Sequence, residues 1–156
     1  LRADRRRLVI SGWDQGSPTC EVVGHAIGAR MTTDLVSRAL VTAVDAKRPG
    51  PGLIHHSDHG SQYCAQNYQG LLRKFGMHAP MSRRGNCYDN APMESFWDTL
   101  KSELVHHRHY DTRAQSIREI TEYIEIIYNR QRRHSRLGNL SPAAFVQQWS
   151  RQQPGA

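Results

Sequence analysis

A chain of 156 residues is long enough to bury the core of one domain but not of two, and its 21 Lys and Arg against 14 Asp and Glu leave a formal charge of +7. That excess points to a polyanionic partner, most often nucleic acid. Cys20, Cys64 and Cys87 contain no C-x-x-C pair, which argues against a disulfide framework or a zinc ribbon and fits a reducing cytoplasm. No apolar run reaches bilayer-spanning length, and LRADRRRLVISGW lacks the apolar stretch and cleavage site of a signal peptide, so a soluble, unexported protein with no membrane partner is expected.

The first twenty residues read poorly: they are arginine-rich and then run into SGWDQGSPTC, turn residues where strand would be expected. EVVGHAIG (21–28) has the β-branched character of a strand. Thr32 or Thr33 can cap a helix whose Leu35, Val36, Ala39, Leu40, Ala43 and Val44 follow a period near 3.6 and which stops at RPGPG. LIHH (53–56) is a short buried strand candidate. Tyr68, Leu71, Leu72 and Phe75 lie on one face of a helix ending at Gly76, and MHAPM is a further edge strand candidate.

SRRGNCYDNAP (82–92) has loop composition. It leads into a helix that should run to about His107, with Met93, Trp97, Leu100 and Leu104 as the buried stripe. Thr112 and Gln115 form a capping-box pattern for a long helix with Ile117, Ile120, Ile124 and Ile127 at core spacing, ending in NRQRRHSRLG. Ser141 and Pro142 open a last short helix. Strand and helix segments alternate without internal repeat, which predicts an α/β fold.

Asp58 follows a strand candidate directly, where active sites collect in α/β sheets, and it stands among His55, His56 and His59. Thirty-five residues separate it from Glu94 in the first turn of a later helix, and Lys101 lies seven positions beyond Glu94, two turns along a neighbouring face. Singly, each has an ordinary structural role: a turn aspartate, a glutamate favoured at a helix N-terminus, a solvated lysine. The histidines with Cys64, or His106, His107 and His109, match no familiar zinc spacing.

Asp58, Glu94 and Lys101 at these intervals resemble the second and third acidic residues, and the following basic residue, of the DDE transposases and retroviral-type integrases. The flanks HSDHGSQY, SRRGNCYDNAPMESFW, LKSEL and YNRQRRHSRLGNLSPAAF are similar to those of bacterial insertion-sequence transposases, encoded there in a second reading frame, and the resemblance covers roughly Val22 to Trp149.

The resemblance implies an RNase H-like mixed sheet flanked by helices, acting in DNA transposition and DNA integration by Mg²⁺- or Mn²⁺-dependent phosphodiester cleavage and strand transfer. It implies Asp58 and Glu94 as metal ligands and Lys101 as a catalytic phosphate contact. The partners it implies are transposon-end and target DNA, in a homo-oligomer associated with the bacterial nucleoid in the cytoplasm. Arg83, Arg84, Arg130, Arg132, Arg133, His134 and Arg136 are the further DNA-binding candidates.

The family's first acidic residue falls, by usual spacing, just before Leu1. Residues 1–20 are therefore expected to be an atypical segment from truncation or frameshift, ahead of a core-like domain over 21–150 that is incomplete at its N-terminus. Asp4 or Asp14 are weak substitutes for the missing ligand. A catalytically inactive remnant that only binds DNA or self-associates is the alternative expectation.

Overall fold

In the computed structural model, residues 6–14, 17–55, 57, 61–79 and 91–152 are described, with side chains from residue 19 onward except those of 91–94. The chain divides into two compact units. The described parts of residues 6–10 and 23–99 form one, and those of 11–22 and 100–152 form the other.

Strand β1 (Arg6–Asp14) pairs with β2 (Ser17–Gly28) in a two-stranded sheet. Two residues separate them, so the pair is antiparallel, since a parallel connection needs a dozen or more. This corrects the reading of the first twenty residues. The Val9–Ile10 pair has the β-branched character of a strand, and the turn residues of that stretch did not exclude one.

In the unit built mostly from 23–99, β2 leads into α1 (Thr33–Lys47), capped as its sequence predicts: the Thr32 hydroxyl accepts from the Leu35 N–H at 3.2 Å. After the short helical turn α2 (Ser61–Cys64) comes α3 (Gln66–Lys74). It closes in a Schellman motif, Met77 N–H to Leu72 C=O at 2.9 Å and Gly76 N–H to Arg73 C=O at 3.0 Å, with Gly76 at φ +66°. Val36, Ala39 and Leu40 of α1 pack on Tyr68 and Leu72 of α3 and on Met77, with Ala26 of β2 against the cluster.

Among the described residues of the strand candidates at 53–56 and 77–81 there is one parallel bridge, Ile54 to His78. Ile54 is 54% exposed, so the expected buried strand is corrected to an exposed bridge, held by His55 N–H to His78 C=O and His78 N–H to Leu53 C=O.

Gly24 sets how closely β2 approaches α1. A Cβ there would stand 2.4 Å from the Ala39 carbonyl oxygen and 2.7 Å from the Ala43 Cβ, and neither backbone nor an alanine can swing aside. Gly24→Ala is therefore expected to lower unfolding free energy by about 1–3 kcal/mol, measured as a shift in the urea midpoint; an unchanged midpoint would show that strand and helix separate at no cost.

Helix α4 (Ala91–Glu103) continues from this unit into the second one. Among its described side chains Phe96 and Leu100 are fully buried, while Trp97 and, just past the helix, Leu104 are half-buried; Leu100 is buried as the predicted stripe has it, Phe96 takes the place expected of Trp97 and lies edge-on to it at 5.0 Å, and the Met93 side chain lies outside the described residues. A short 3₁₀ turn (Val105–His107) precedes α5 (Arg113–Glu122). Thr112 accepts from Gln115 N–H at 3.1 Å, and the Gln115 side chain accepts from Asp111 N–H at 3.2 Å, one residue before the usual capping-box donor.

Beyond Glu122 the helix does not stay α. Tyr123–Gln131 is π-helical, closed by Arg132 N–H to Ile127 C=O at 2.7 Å, and helix α6 (Pro142–Gln152) packs against it. Each residue of a π-helix turns through a smaller angle than in an α-helix, so the buried side chains pair five apart: Tyr123 with Tyr128 and Ile124 with Asn129. Ile127, three residues past Ile124, swings away from that face and is 39% exposed, which corrects its assignment to the core.

The wide register brings Asn129 inward, where its side-chain amide pairs twice with one residue of β2. Val22 N–H donates to Asn129 Oδ1, and Asn129 Nδ2 donates to the Val22 carbonyl, both at 2.9 Å. The amide thus does for Val22 what a neighbouring strand would do. Asn129→Ala leaves both backbone groups buried and unpaired, an expected loss of about 2–4 kcal/mol, read from chemical denaturation.

Candidate catalytic carboxylates and phosphate-contacting surface

Asp58, Arg83 and Arg84 lie outside the described residues, as do His56 and His59. His55, three positions before Asp58, is tied into the α3 core. Its Nε2 is hydrogen-bonded to the Tyr68 hydroxyl at 2.9 Å, and Tyr68 is fully buried and edge-on to Tyr63 at 5.4 Å. Burial, and then the neighbouring Tyr63, push the Tyr68 hydroxyl well above its ordinary range, so it stays a neutral phenol. That contact holds His55 itself against α3.

Glu94 belongs to the first turn of α4, and Lys101 is exposed in its last turn. Seven residues on one α-helix correspond to a rise of about 10 Å with nearly the same bearing around the axis. Among the described residues no group of three His, Cys, Asp or Glu could hold a metal ion, and neither Asp58 nor the Glu94 side chain is among them.

The basic run after the π-helix divides into two kinds of residue. Arg130, Arg133 and Arg136 are exposed. Arg132 instead forms an ion pair with Glu103 Oε1, while the Tyr123 hydroxyl donates to Glu103 Oε2. Partial burial pushes the Glu103 carboxyl up, but the hydrogen bonds from Tyr123 and Arg132 and the Arg132 charge outweigh it and hold the group below its ordinary value. The paired side chains remain 33% and 40% exposed, so the ion pair alone is worth roughly 1 kcal/mol or less.

His134 is likewise engaged. Its N–H donates to the Leu140 carbonyl at 3.0 Å, its carbonyl accepts from Asn139 N–H at 2.9 Å, and its ring stands edge-on to Tyr128 at 5.0 Å. Tyr128 is pushed up to about 12, chiefly by burial and then by the neighbouring Cys20. Sequence reasoning missed Glu103, Tyr123 and Asn129. For Asn129 the α-helical period gave no signal, since it turns the residue off the face of Ile120, Ile124 and Ile127; Glu103 meets Arg132 across 29 positions and leaves no local trace.

Comparison with known proteins bears on both parts of the chain. The integrase core domain family matches residues 10–87 and a second integrase core domain model matches residues 94–149. The chain belongs to the integrase core family. The first match contains Asp58 and the second contains Glu94, Lys101 and the basic run.

This integrase core chain is 58% identical over 131 residues to an insertion element IS600 31 kDa protein of Shigella sonnei, covering 84% of the chain and 48% of that protein. It is 47% identical over 125 residues to the transposase for insertion sequence element IS904 of Lactococcus lactis, covering 80% and 49%. Transposase InsF for insertion sequence IS3A of Escherichia coli is 39% identical over 138 residues, covering 88% and 46%. The chain spans about half the length of the curated relatives it matches. The first integrase core match begins at residue 10, inside the segment that sequence reading set apart as atypical.

Burial, and then the Arg132 charge, hold His134 below its ordinary value, and its Nε2 is buried without a hydrogen-bond partner among the described residues. A histidine with a depressed folded pKa contributes stability that is complete above its unfolded value. That contribution is lost as pH falls through the interval down to the folded value. Thermal stability should therefore fall between pH 7.5 and 5.5 by more in the wild type than in His134→Gln; equal losses in the two proteins would remove His134 from the pH response.

Proposed function

We propose that the chain is the catalytic-core portion of an insertion-sequence transposase, acting on transposon-end and target DNA by phosphodiester cleavage and strand transfer. The observation that carries this reading is the pair of integrase core matches, one around Asp58 and the other around Glu94, in a chain whose relatives include transposases of insertion sequences. An RNase H-like arrangement accords with strand pairing of both senses, antiparallel in β1–β2 and parallel at Ile54 and His78.

In this reading Asp58 and Glu94 are the protein's ligands for Mg²⁺ or Mn²⁺. Two carboxylates are hard oxygen donors of the kind such ions take from protein while leaving positions for phosphate and water. When bound, the divalent ions supply a more nucleophilic attacking oxygen and charge neutralisation at the leaving oxygen. The protein's own residues bind and orient. Lys101 holds a phosphate near the cut strand, Arg83 and Arg84 contact the backbone from the segment before α4, and the exposed arginines after the π-helix bind phosphate further along the duplex.

The third carboxylate of the set belongs, by usual family spacing, just before Leu1, and Asp4 and Asp14 are weak substitutes for it. We place the core-like domain at 21–150, with 1–20 as its atypical leading segment, and the working form as a homo-oligomer in the bacterial cytoplasm. Among the described residues no helix is long and apolar enough to cross a membrane.

The test is Mg²⁺-dependent joining of a short duplex carrying the end of the flanking element, comparing the wild type with Glu94→Gln. Joining by the wild type and its loss by orders of magnitude in the variant, with DNA binding retained, is the expected result. Joining that survives the substitution would remove Glu94 from the metal site. DNA binding without cleavage or joining by either protein would reduce the chain to an inactive, DNA-binding remnant.

A further inference from the structure

Resting on that DNA-binding reading, the contacts after the π-helix separate residues that touch phosphate from residues that hold them in place. Between Asn129 and Leu137 the chain alternates. Asn129 is bonded to Val22, Arg130 is exposed, Arg132 is paired with Glu103, and Arg133 is exposed. His134 is then fixed through both backbone groups to Asn139 and Leu140, Arg136 is exposed, and Leu137 is buried. Every exposed arginine lies within one or two residues of an anchored one.

Arg132 differs from its neighbours in having its charge matched within the protein. Both Glu103 oxygens are engaged, one by the Arg132 guanidinium and one by the Tyr123 hydroxyl, and these partners keep the carboxyl ionised. For Arg132 to reach a phosphate it would have to leave a carboxylate unpaired beside an incoming polyanion, where like-charge repulsion opposes binding. The backbone around Arg132 is also fixed, by Arg132 N–H to the Ile127 carbonyl. Arginines on a fixed backbone lose less freedom on binding than arginines on a mobile one.

We propose that Glu103, supported by Tyr123, is a positioning residue for DNA: it withdraws Arg132 from phosphate contact and uses it to hold Arg130, Arg133 and Arg136 as a pre-formed array for duplex phosphates. Sequence reading placed Arg132 and His134 among the DNA contacts. The geometry makes both of them anchors.

The two roles have different signatures in salt. Each phosphate neutralised by a side chain adds about 0.9 to the slope of log affinity against log salt on duplex DNA, whereas an anchor changes affinity without changing the number of contacts. Fluorescence anisotropy on a labelled duplex over a sodium chloride series, with circular dichroism and thermal melting as the check on folding, reads both quantities. Arg133→Gln should lower the slope by about 0.9. Arg132→Gln, Glu103→Gln and Tyr123→Phe should each weaken binding several-fold at the wild-type slope. Tyr123→Phe removes one hydrogen bond and no charge, so it tests the anchor if the charge variants fold poorly.

A slope for Arg132→Gln as low as that of Arg133→Gln would make Arg132 a contact and overturn the inference. So would tighter, steeper binding by Glu103→Gln, which would mean that the carboxylate masks Arg132, and so would wild-type affinity in a folded Tyr123→Phe. Absence of salt-dependent binding by the wild type would instead bring down the DNA-binding reading itself.

Discussion

The second unit depends on the amide of Asn129, which takes the place of a strand. Val22 is buried on β2, and its N–H and C=O need partners that the two-stranded sheet does not supply on that side. One asparagine side chain carries a donor and an acceptor in fixed relation, so it can satisfy both at once, provided that its helix delivers it to the strand in the correct orientation. The π-register provides that delivery. In an α-helix the core face defined by Ile120 and Ile124 would continue to Ile127, and Asn129 would lie off it. With hydrogen bonds five residues apart, Ile127 turns out and Tyr128 and Asn129 turn in. Long π stretches are rare because their bonds are poorly aligned, and here the poorer helix is offset by two buried hydrogen bonds that no α-helical register would make.

The same change of register governs the electrostatics that follow. The helix ends at Gln131 by a five-residue bond to Ile127, and the chain turns at Arg132, whose side chain meets Glu103 on the last residue of α4. The basic run is thereby attached to α4 by a network rather than by one exposed ion pair, which would contribute little. Tyr123, in the first turn of the π-helix, gives the second hydrogen bond to the same carboxylate, so both ends of the π segment are tied to Glu103. A run of arginines that looks uniform in sequence is sorted by this one acidic residue into charges matched inside the protein and charges left facing solvent.

The local parts of this fold were legible in the sequence because their causes are local. The Thr32 cap, the Gly76 turn, the Thr112–Gln115 pair and the Ser141–Pro142 start each rest on a side chain within a few positions of the backbone group it satisfies. What failed had non-local causes. Ile127 was assigned by α-periodicity, which holds only while the helix stays α. Residues 6–14 were passed over because turn residues were taken to characterise the whole stretch. Ile54 was judged buried from its apolar neighbours, yet its burial depends on what pairs beside it. In the candidate site, Asp58, Glu94 and Lys101 were singled out by spacing and family resemblance, and Asp58 and the Glu94 side chain lie outside the described residues. Glu103 was not, since its meaning lies in a contact 29 residues away.

Helix α4 carries charges of both signs at the positions its backbone favours. Glu94 is in the first turn, where the unpaired N–H groups make a negative charge favourable, and Lys101 is in the last turn, where the carbonyls favour a positive one. One continuous helix is a stiff spacer, so the backbone separation of residues 94 and 101 is set by seven residues of rise rather than by loop conformation. Phe96 and Leu100 are buried on the helix between the two. Glu103, two residues past Lys101, then ties the end of that same helix to the arginine run. Lys101 and the proposed DNA-contacting arginines of that run thus belong to one unit, joined through the end of α4.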